Sequence, residues 1–451
     1  MARFLVTAVN PATGARRVLQ YDNETSALLD ESGAPVVPAI EVAPRSPVYA
    51  TSPEAPAGKT SPRVLKISLG LSCNYECEYC SQRFVPRNVE TNPDDVDAFV
   101  DGLDSWVTSP PERVEFWGGE PLVYIKTLRP LAQRLRAKYP DAALSIITNG
   151  SLLSPEINDW IEALDIVVGI SHDGPGQSVR GPDPLDDPER REAILDLYRR
   201  LAPKGRISFN AMMNRENVSR AAVYQFFATL TGDPNVQIGE GGFVDAYDEG
   251  GLALSLQPHE FAAYRNRAFA EIRSGQAANF SVVRERVASF VNSLRTRRPA
   301  SSVGQKCAMD RPDNIAVDLR GNVVTCQNVS AVSRAPNGES HKIGHVSALD
   351  EARLTTARHW STREECPSCP VLQICSGSCM FLEGVLWERS CDNAYSDAVP
   401  IFAAGIEFLT GCIPIYIDGD FREDRKDIFG LVNGVPDAPK KRVIPIQPVA
   451  A

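Results

Sequence analysis

Basic charge is scarce in this sequence. Lys and Arg number 47 against 57 Asp and Glu, a net charge of −10, and no Lys/Arg run stands above the background. This disfavours a nucleic-acid surface, because phosphates need a basic field. Long apolar runs are missing as well. The most lipid-like stretch, 398–417, carries Pro400, Glu407 and Pro414 and reads as a buried core segment, not a membrane span. Residues 1–10 are apolar over too short a length for a signal peptide, and Asn10-Pro11-Ala12-Thr13-Gly14 then turns the chain. No internal repeat is present. These absences predict a cytoplasmic protein with no nucleic-acid and no membrane partner.

What the chain does have is length and thiols. Its 451 residues, 43% of them hydrophobic, suffice for one large domain and one or two smaller ones. Cysteines number eleven, an odd count, and ten fall into spaced sets. Reduced, metal-binding thiols fit this better than a secreted disulfide framework.

Two hairpins are expected at the start, one with strands 4–9 and 17–21 and one around Ser32-Gly33. Residues 43–63, rich in Ala, Pro, Ser and Thr, read as an extended linker. Strand-like runs at 64–71, 113–117, 144–148, 166–171, 206–213 and 236–238 then alternate with helical patterns at 93–107, 126–139, 155–164, 188–201, 220–230 and 258–275. Six βα units with short apolar strands predict an α/β fold, a partial (β/α)6 TIM-like barrel, its active site at the carboxyl ends of the strands. A further helix is expected at 281–298, after which cysteines dominate. The expected division is 1–62 for the N-terminal β element and linker, 63–300 for the barrel, 301–395 for a cysteine-rich metal domain and 396–451 for a C-terminal extension.

Cys73-Asn74-Tyr75-Glu76-Cys77-Glu78-Tyr79-Cys80 follows the first strand, and Gly118-Gly119-Glu120-Pro121 follows the second, so the two loops should meet on one face. Three thiolates can hold three corners of a four-iron cluster and leave one iron without a protein ligand. Structural zinc, by contrast, wants four ligands, and no fourth is offered locally. The Gly-Gly-Glu-Pro turn lets backbone approach closely and supplies acceptors for an ammonium group.

Cys73, Cys77 and Cys80 with Tyr79, followed by the Gly118–Pro121 turn, resemble the radical S-adenosylmethionine (SAM) superfamily. The resemblance implies a SAM-binding [4Fe-4S] cluster whose open iron chelates the amino and carboxylate groups of SAM. It also implies a 5′-deoxyadenosyl radical that abstracts a substrate hydrogen. By the same resemblance the cofactor contacts are Tyr79, Gly118, Gly119, Glu120, Asn149, Ser171 and Arg180, the last as a carboxylate partner, with Asn214 as a further polar contact. His172 reads as structural.

Cys307, Gly321, Cys326, Cys366-x2-Cys369-x5-Cys375-x3-Cys379 and Cys391 resemble the SPASM domain, an extension holding two auxiliary [4Fe-4S] clusters. The family pattern assigns Cys366, Cys369, Cys375 and Cys391 to an outer cluster and Cys307, Cys326 and Cys379 to an inner one. The inner set is one ligand short, since residues 308–325 contain no cysteine. Either Cys412 completes it, or an iron is open to substrate or to another side chain. By itself Cys412 reads as a small buried hydrophobe.

SPASM-containing relatives mostly modify ribosomally made peptides. The resemblance therefore implies a precursor peptide or protein as substrate and a reductant such as flavodoxin or ferredoxin. Sulfatase maturases carry an aspartate directly after the second SPASM cysteine, where this chain has Gln327, which lowers that reading. A small-molecule radical SAM dehydrogenase and a non-catalytic iron–sulfur electron carrier are the competing functions. The acidic loop 240–245, with Asp248 and Glu249 beyond, is expected at the active-site mouth, either to receive a basic or polar peptide or as a solvated loop. The N-terminal β element either offers a strand edge to a leader peptide or covers the barrel. No catalytic acid or base is assigned.

Overall fold

The chain opens with an antiparallel hairpin, β1 (Arg3–Val9) and β2 (Arg16–Asp22), and a short third strand, β3 (Ala27–Leu29). The βα units follow as β4 (Val64–Ser68), α1 (Asp95–Gly102), β5 (Arg113–Trp117), α2 (Ile125–Lys138), β6 (Ala143–Thr148), α3 (Pro155–Ala163), β7 (Val167–Ser171), α4 (Pro188–Leu201), β8 (Ile207–Asn210) and α5 (Arg220–Thr231). Next come α6 (Glu249–Ala253), α7 (Phe261–Arg273), α8 (Ser281–Thr296), β9 (Asn314–Asp318), β10 (Asn322–Val324), β11 (Lys342–His345), α9 (Leu372–Cys375), α10 (Gly384–Thr410) and β12 (Ile413–Asp418). This computed structural model describes residues 2–43, 58–87, 91–239, 242–354 and 358–432. Most of the expected linker, 44–57, and Glu240-Gly241 of the acidic loop lie outside the described residues.

The main sheet has the order β11-β10-β9-β4-β5-β6-β7-β8 and does not close. Strands β4 to β8 pair in parallel. All five residues of β4 are buried, as a parallel strand covered on both faces requires. Side-chain oxygens of Ser154, Asp187 and Ser219 cap α3, α4 and α5 and set where each helix starts.

Three expectations change. Residues 236–238 form no strand; the run is too short between Pro234 and Gly239, and Ile238 makes only single bridges to Phe209 and Phe280. A sixth parallel strand comes instead from the cysteine-rich region, where β9 pairs in parallel with the other side of β4 and β10 and β11 extend the sheet antiparallel. The expected strand 206–213 stops at Asn210, because Met212 and Met213 turn their N–H groups to the Asp173 carboxylate and to Gly242 O.

The second sheet, β12-β1-β2-β3, joins the N-terminal hairpin to a strand after α10. Its inner face, Phe4, Val6, Leu19 and Tyr21, packs on Phe290 and Leu294 of α8 and on Ile401, Phe402 and Ile406 of α10. The 398–417 stretch is therefore core, and no helix among the described residues is long and apolar enough to cross a membrane. Both outer edges of this sheet meet the chain itself. Val36 N–H bonds Leu28 O beyond β3, and Ile417 N–H bonds Lys426 O beyond β12. Among the described residues, β3 and β12 are thus each partly covered by the chain's own backbone. The sheet braces the thiol region: Asn23 Nδ2 donates to Pro367 O at 3.0 Å and to Cys369 O at 2.9 Å.

A buried ion cluster ties the barrel helices to α10. Asp397 accepts from Arg220 Nη2 at 2.6 Å, Arg286 Nη1 at 2.6 Å and Tyr264 Oη at 2.8 Å. Burial alone would raise the Asp397 carboxyl, but the two guanidiniums outweigh it and hold it well below the usual carboxylate range. Asp397→Asn is expected to destabilise the fold by about 3–5 kcal/mol at neutral pH, because it leaves buried cations uncompensated. A depressed carboxylate contributes stability above its unfolded pKa that is lost as pH falls through the folded one. The variant should therefore lose less stability than the parent on acidification. Thermal melts at neutral and acidic pH check both expectations, and an unmoved neutral melt would contradict them.

Candidate active site

The loops after β4 and β5 touch through backbone. Gly119 N–H donates to Gly70 O at 3.1 Å and Glu120 N–H to Ser72 O at 3.0 Å. A Cβ on Gly119 would lie 2.6 Å from Leu71 O and collide with Ser72 O, so only glycine permits this approach. Glu120 is buried and its carboxylate accepts from Leu122 N at 3.0 Å, Thr148 Oγ1 at 2.8 Å and Asn149 N at 2.7 Å, joining the ends of β5 and β6. Burial raises this carboxyl above its ordinary range although those bonds pull it back.

The cysteine loop is pinned to the next strand ends. Asn149 Nδ2 donates to Asn74 Oδ1 at 2.9 Å, and Glu78 N–H to Val179 O at 2.9 Å. Tyr79 Oη donates to Asp173 Oδ2 at 2.6 Å and accepts from Arg180 Nη1 at 2.7 Å. Within the chain, the carboxylate beside Arg180 is Asp173, 3.5 Å away. His172 is buried between Asp183 Oδ1, 2.9 Å from its Nε2, and the Phe226 ring, a structural setting.

Cys73, Cys77, Cys80, Tyr79, Gly118, Gly119, Glu120, Asn149, Ser171 and Arg180 line one cleft of about 1970 Å³, part of it open to solvent. The same cleft is lined by Cys307, Cys326 and Cys379. Asn214 does not belong to it: its Oδ1 accepts from Glu216 N and Asn217 N in a buried turn. Asn210, the true end of β8, lines the cleft in its place. The four-residue offset follows from expecting the strand to run to Met213. Ile147, Trp117, Met212 and Tyr247 also line the cleft and were not foreseen. Ile147 and Trp117 lie within expected strands, yet alternation alone did not say which face becomes the wall.

The remaining thiols separate. Cys366, Cys369, Cys375 and Cys391 line a second pocket of about 380 Å³ together with Arg425, whose Nη2 lies 3.4 Å from Cys391 Sγ. Cys412, 1% exposed, sits in the apolar core with Ile406, Ile413 and Phe402 and lines neither cavity. The structure thus treats it as a hydrophobe and leaves the inner set at three thiols.

Burial pushes the thiols up: Cys77 and Cys375 to about 11, and Cys307, Cys369 and Cys379 to about 12. Cys307 is accessible through the cleft, yet enough protein surrounds it to disfavour its charge. Neighbouring sulfurs add to the shift within each set. Lys66 of β4 counters it. The ammonium lies 3.2 Å from Glu115 and 5.3 Å from the Trp117 ring centre, and its charge favours the thiolates of Cys307 and Cys326.

The acidic loop divides. Asp245 lines the cleft, whereas Asp248 caps α6 by accepting from Gly251 N at 2.9 Å.

A model of the Radical SAM superfamily matches residues 67–227. The radical SAM cyclopropyl synthase TigE of Paramaledivibacter caminithermalis is 20% identical over 346 residues, 70% of this chain and 68% of that protein. The S-adenosylmethionine-dependent nucleotide dehydratase of Pseudoalteromonas ulvae is 28% identical over 182 residues, 35% of this chain and 58% of that protein. Among solved structures, anSMEcpe with bound AdoMet shares the fold, with a TM-score of 0.53 at 17% identity over 76% of this chain and 98% of that one. The same protein is also known with AdoMet and the Cp18Cys peptide, again at a TM-score of 0.53, with 16% identity over 76% of this chain and 99% of that one. With its three-cysteine loop and glycine turn at the carboxyl ends of an open parallel sheet, this chain carries a Radical SAM superfamily domain over residues 67–227.

Proposed function

We propose that this chain is a SPASM-type radical SAM enzyme that modifies a ribosomally made peptide. The observation that carries the reading is a single large cleft bounded by two sets of three thiols, one from the β4 loop and one from the C-terminal region. Superfamily members use SAM and a [4Fe-4S] cluster, which together supply a 5′-deoxyadenosyl radical for hydrogen abstraction when bound. Cys73, Cys77 and Cys80 would hold that cluster. Gly118 and Gly119 would offer backbone groups to SAM, while Asn149, Ser171 and Arg180 would supply polar contacts.

The thiols suit cationic centres, because buried sulfurs with raised pKa values become ligands only where a cation offsets their charge. A zinc ion would draw four sulfurs to about 2.3 Å from one point. Among the described residues no group of three or more His, Cys, Asp or Glu is gathered as a single metal ion would need. The size of the cleft and the peptide bound to anSMEcpe favour a peptide over a small molecule. Gln327 lines the cleft where sulfatase maturases carry their aspartate, which favours a different peptide modification.

Anaerobically reconstituted protein should hold about twelve irons if all three centres are four-iron cubes. Replacing Cys73, Cys77 and Cys80 together with Ala should remove about four of them and abolish 5′-deoxyadenosine release from SAM; bound zinc, or persistent release, would overturn the reading. Gly119→Ala should cost about 1–3 kcal/mol of stability through overpacking and cut 5′-deoxyadenosine formation at least tenfold, as chromatography of the quenched reaction would measure. Co-expression with a short peptide encoded beside this chain, followed by mass spectrometry, tests the substrate class.

A further inference from the structure

On the two-cluster SPASM reading, on which the assignment below rests, the inner set offers only three thiols. Cys412 is committed to the apolar core, so the missing donor must come from elsewhere or be absent. One carboxylate stands between the segments that carry the inner cysteines. Asp245 Oδ1 accepts the hydroxyl proton of Ser378, the residue before Cys379. Its Oδ2 lies 3.8 Å from Nζ of Lys306, the residue before Cys307. Only 14% of the side chain is exposed, and it opens on the cleft shared with Cys307, Cys326 and Cys379.

The backbone around Asp245 is fixed independently of those contacts. Val244 N–H donates to Met213 O at 2.9 Å, Asn393 Nδ2 to Val244 O at 3.0 Å, and Ala246 N–H to Ser390 Oγ at 2.7 Å. The barrel and α10 therefore hold the carboxylate in place from both sides. Gln327, whose Oε1 lies 3.7 Å from Cys326 Sγ, and Tyr247, two residues on from Asp245 and hydrogen-bonded to Cys379, are neutral oxygen groups beside the set. The carboxylate offers only acceptor oxygens and the phenol a hydroxyl hydrogen, so the phenol is suited to donate to sulfur and the carboxylate to bind iron.

We propose that Asp245 is the fourth protein ligand of the inner cluster, binding through a carboxylate oxygen, with Tyr247 donating a hydrogen bond to Cys379. Carboxylate in place of thiolate keeps the ligand charge but puts a hard oxygen donor at one iron, and this makes the site spectroscopically distinct.

The test uses the full chain with Cys73, Cys77 and Cys80 replaced by Ala, so that only the C-terminal sets bind iron. Iron content, electron paramagnetic resonance and midpoint potential are measured in this parent and with Asp245→Asn or Asp245→Cys added. The parent should hold about eight irons in two cubes. Asp245→Asn should lose at least one iron per chain and, on oxidation, show a three-iron signal or lose the inner signal altogether. Asp245→Cys should keep the parent's iron with an altered spectrum and a shifted potential. Unchanged iron, spectrum and potential in Asp245→Asn would overturn the ligand assignment and leave that iron open. Equal iron loss in both variants would also count against it, since cysteine is a competent ligand. A parent with about four irons or fewer would instead remove the two-cluster reading, and the assignment with it.

Discussion

Parallel pairing of β9 with β4, in register from Val64 opposite Asn314 to Ser68 opposite Asp318, is the constraint on which the site depends. It makes the cysteine-rich region a continuation of the barrel sheet and sets the inner thiols against the interior, beside Lys66. Were β9 paired elsewhere, the Cys73–Cys80 loop and the inner set would not share a cleft. The close approach at Gly119 then fixes the other wall, since the β4 and β5 loops meet with no room for a side chain.

Electrostatics follow a common plan in a chain that is acidic overall. Each set of thiols has a buried or nearly buried cation beside it: Arg180 by Cys77, Lys66 by Cys326 and Arg425 by Cys369 and Cys391. Each cation is also held by a carboxylate, Asp173, Glu115 and Asp392 respectively. Burial disfavours thiolate, and these cations offset part of that cost. The paired carboxylates fix where each cation points, so the sulfurs experience an oriented charge.

The N-terminal hairpin and β12 do not line the cleft, yet they bear on it. Asn23 bonds the backbone at Pro367 and Cys369, and the same β-sheet packs on α10, the helix that bears Cys391 and Asp397. The outer thiols are thus supported by segments from both terminal regions.

Much was legible from residues alone because it is local. The three-cysteine loop, the glycine turn and the alternation of apolar strands with capped helices each depend on neighbours within a few positions, and α4 spans the 188–201 expected of it. Pairing across long sequence separations was not legible. Whether 236–238 or β9 supplies the sixth parallel strand, whether Asn210 or Asn214 faces the cleft, and whether Cys412 meets sulfur or Ile406 are decided by which surfaces pack together. No spacing encodes that choice. Asp245 illustrates the division: its charge was plain, but its place between Ser378 and Lys306 exists only because β-sheet pairing and α10 bring segments more than sixty residues apart onto one carboxylate.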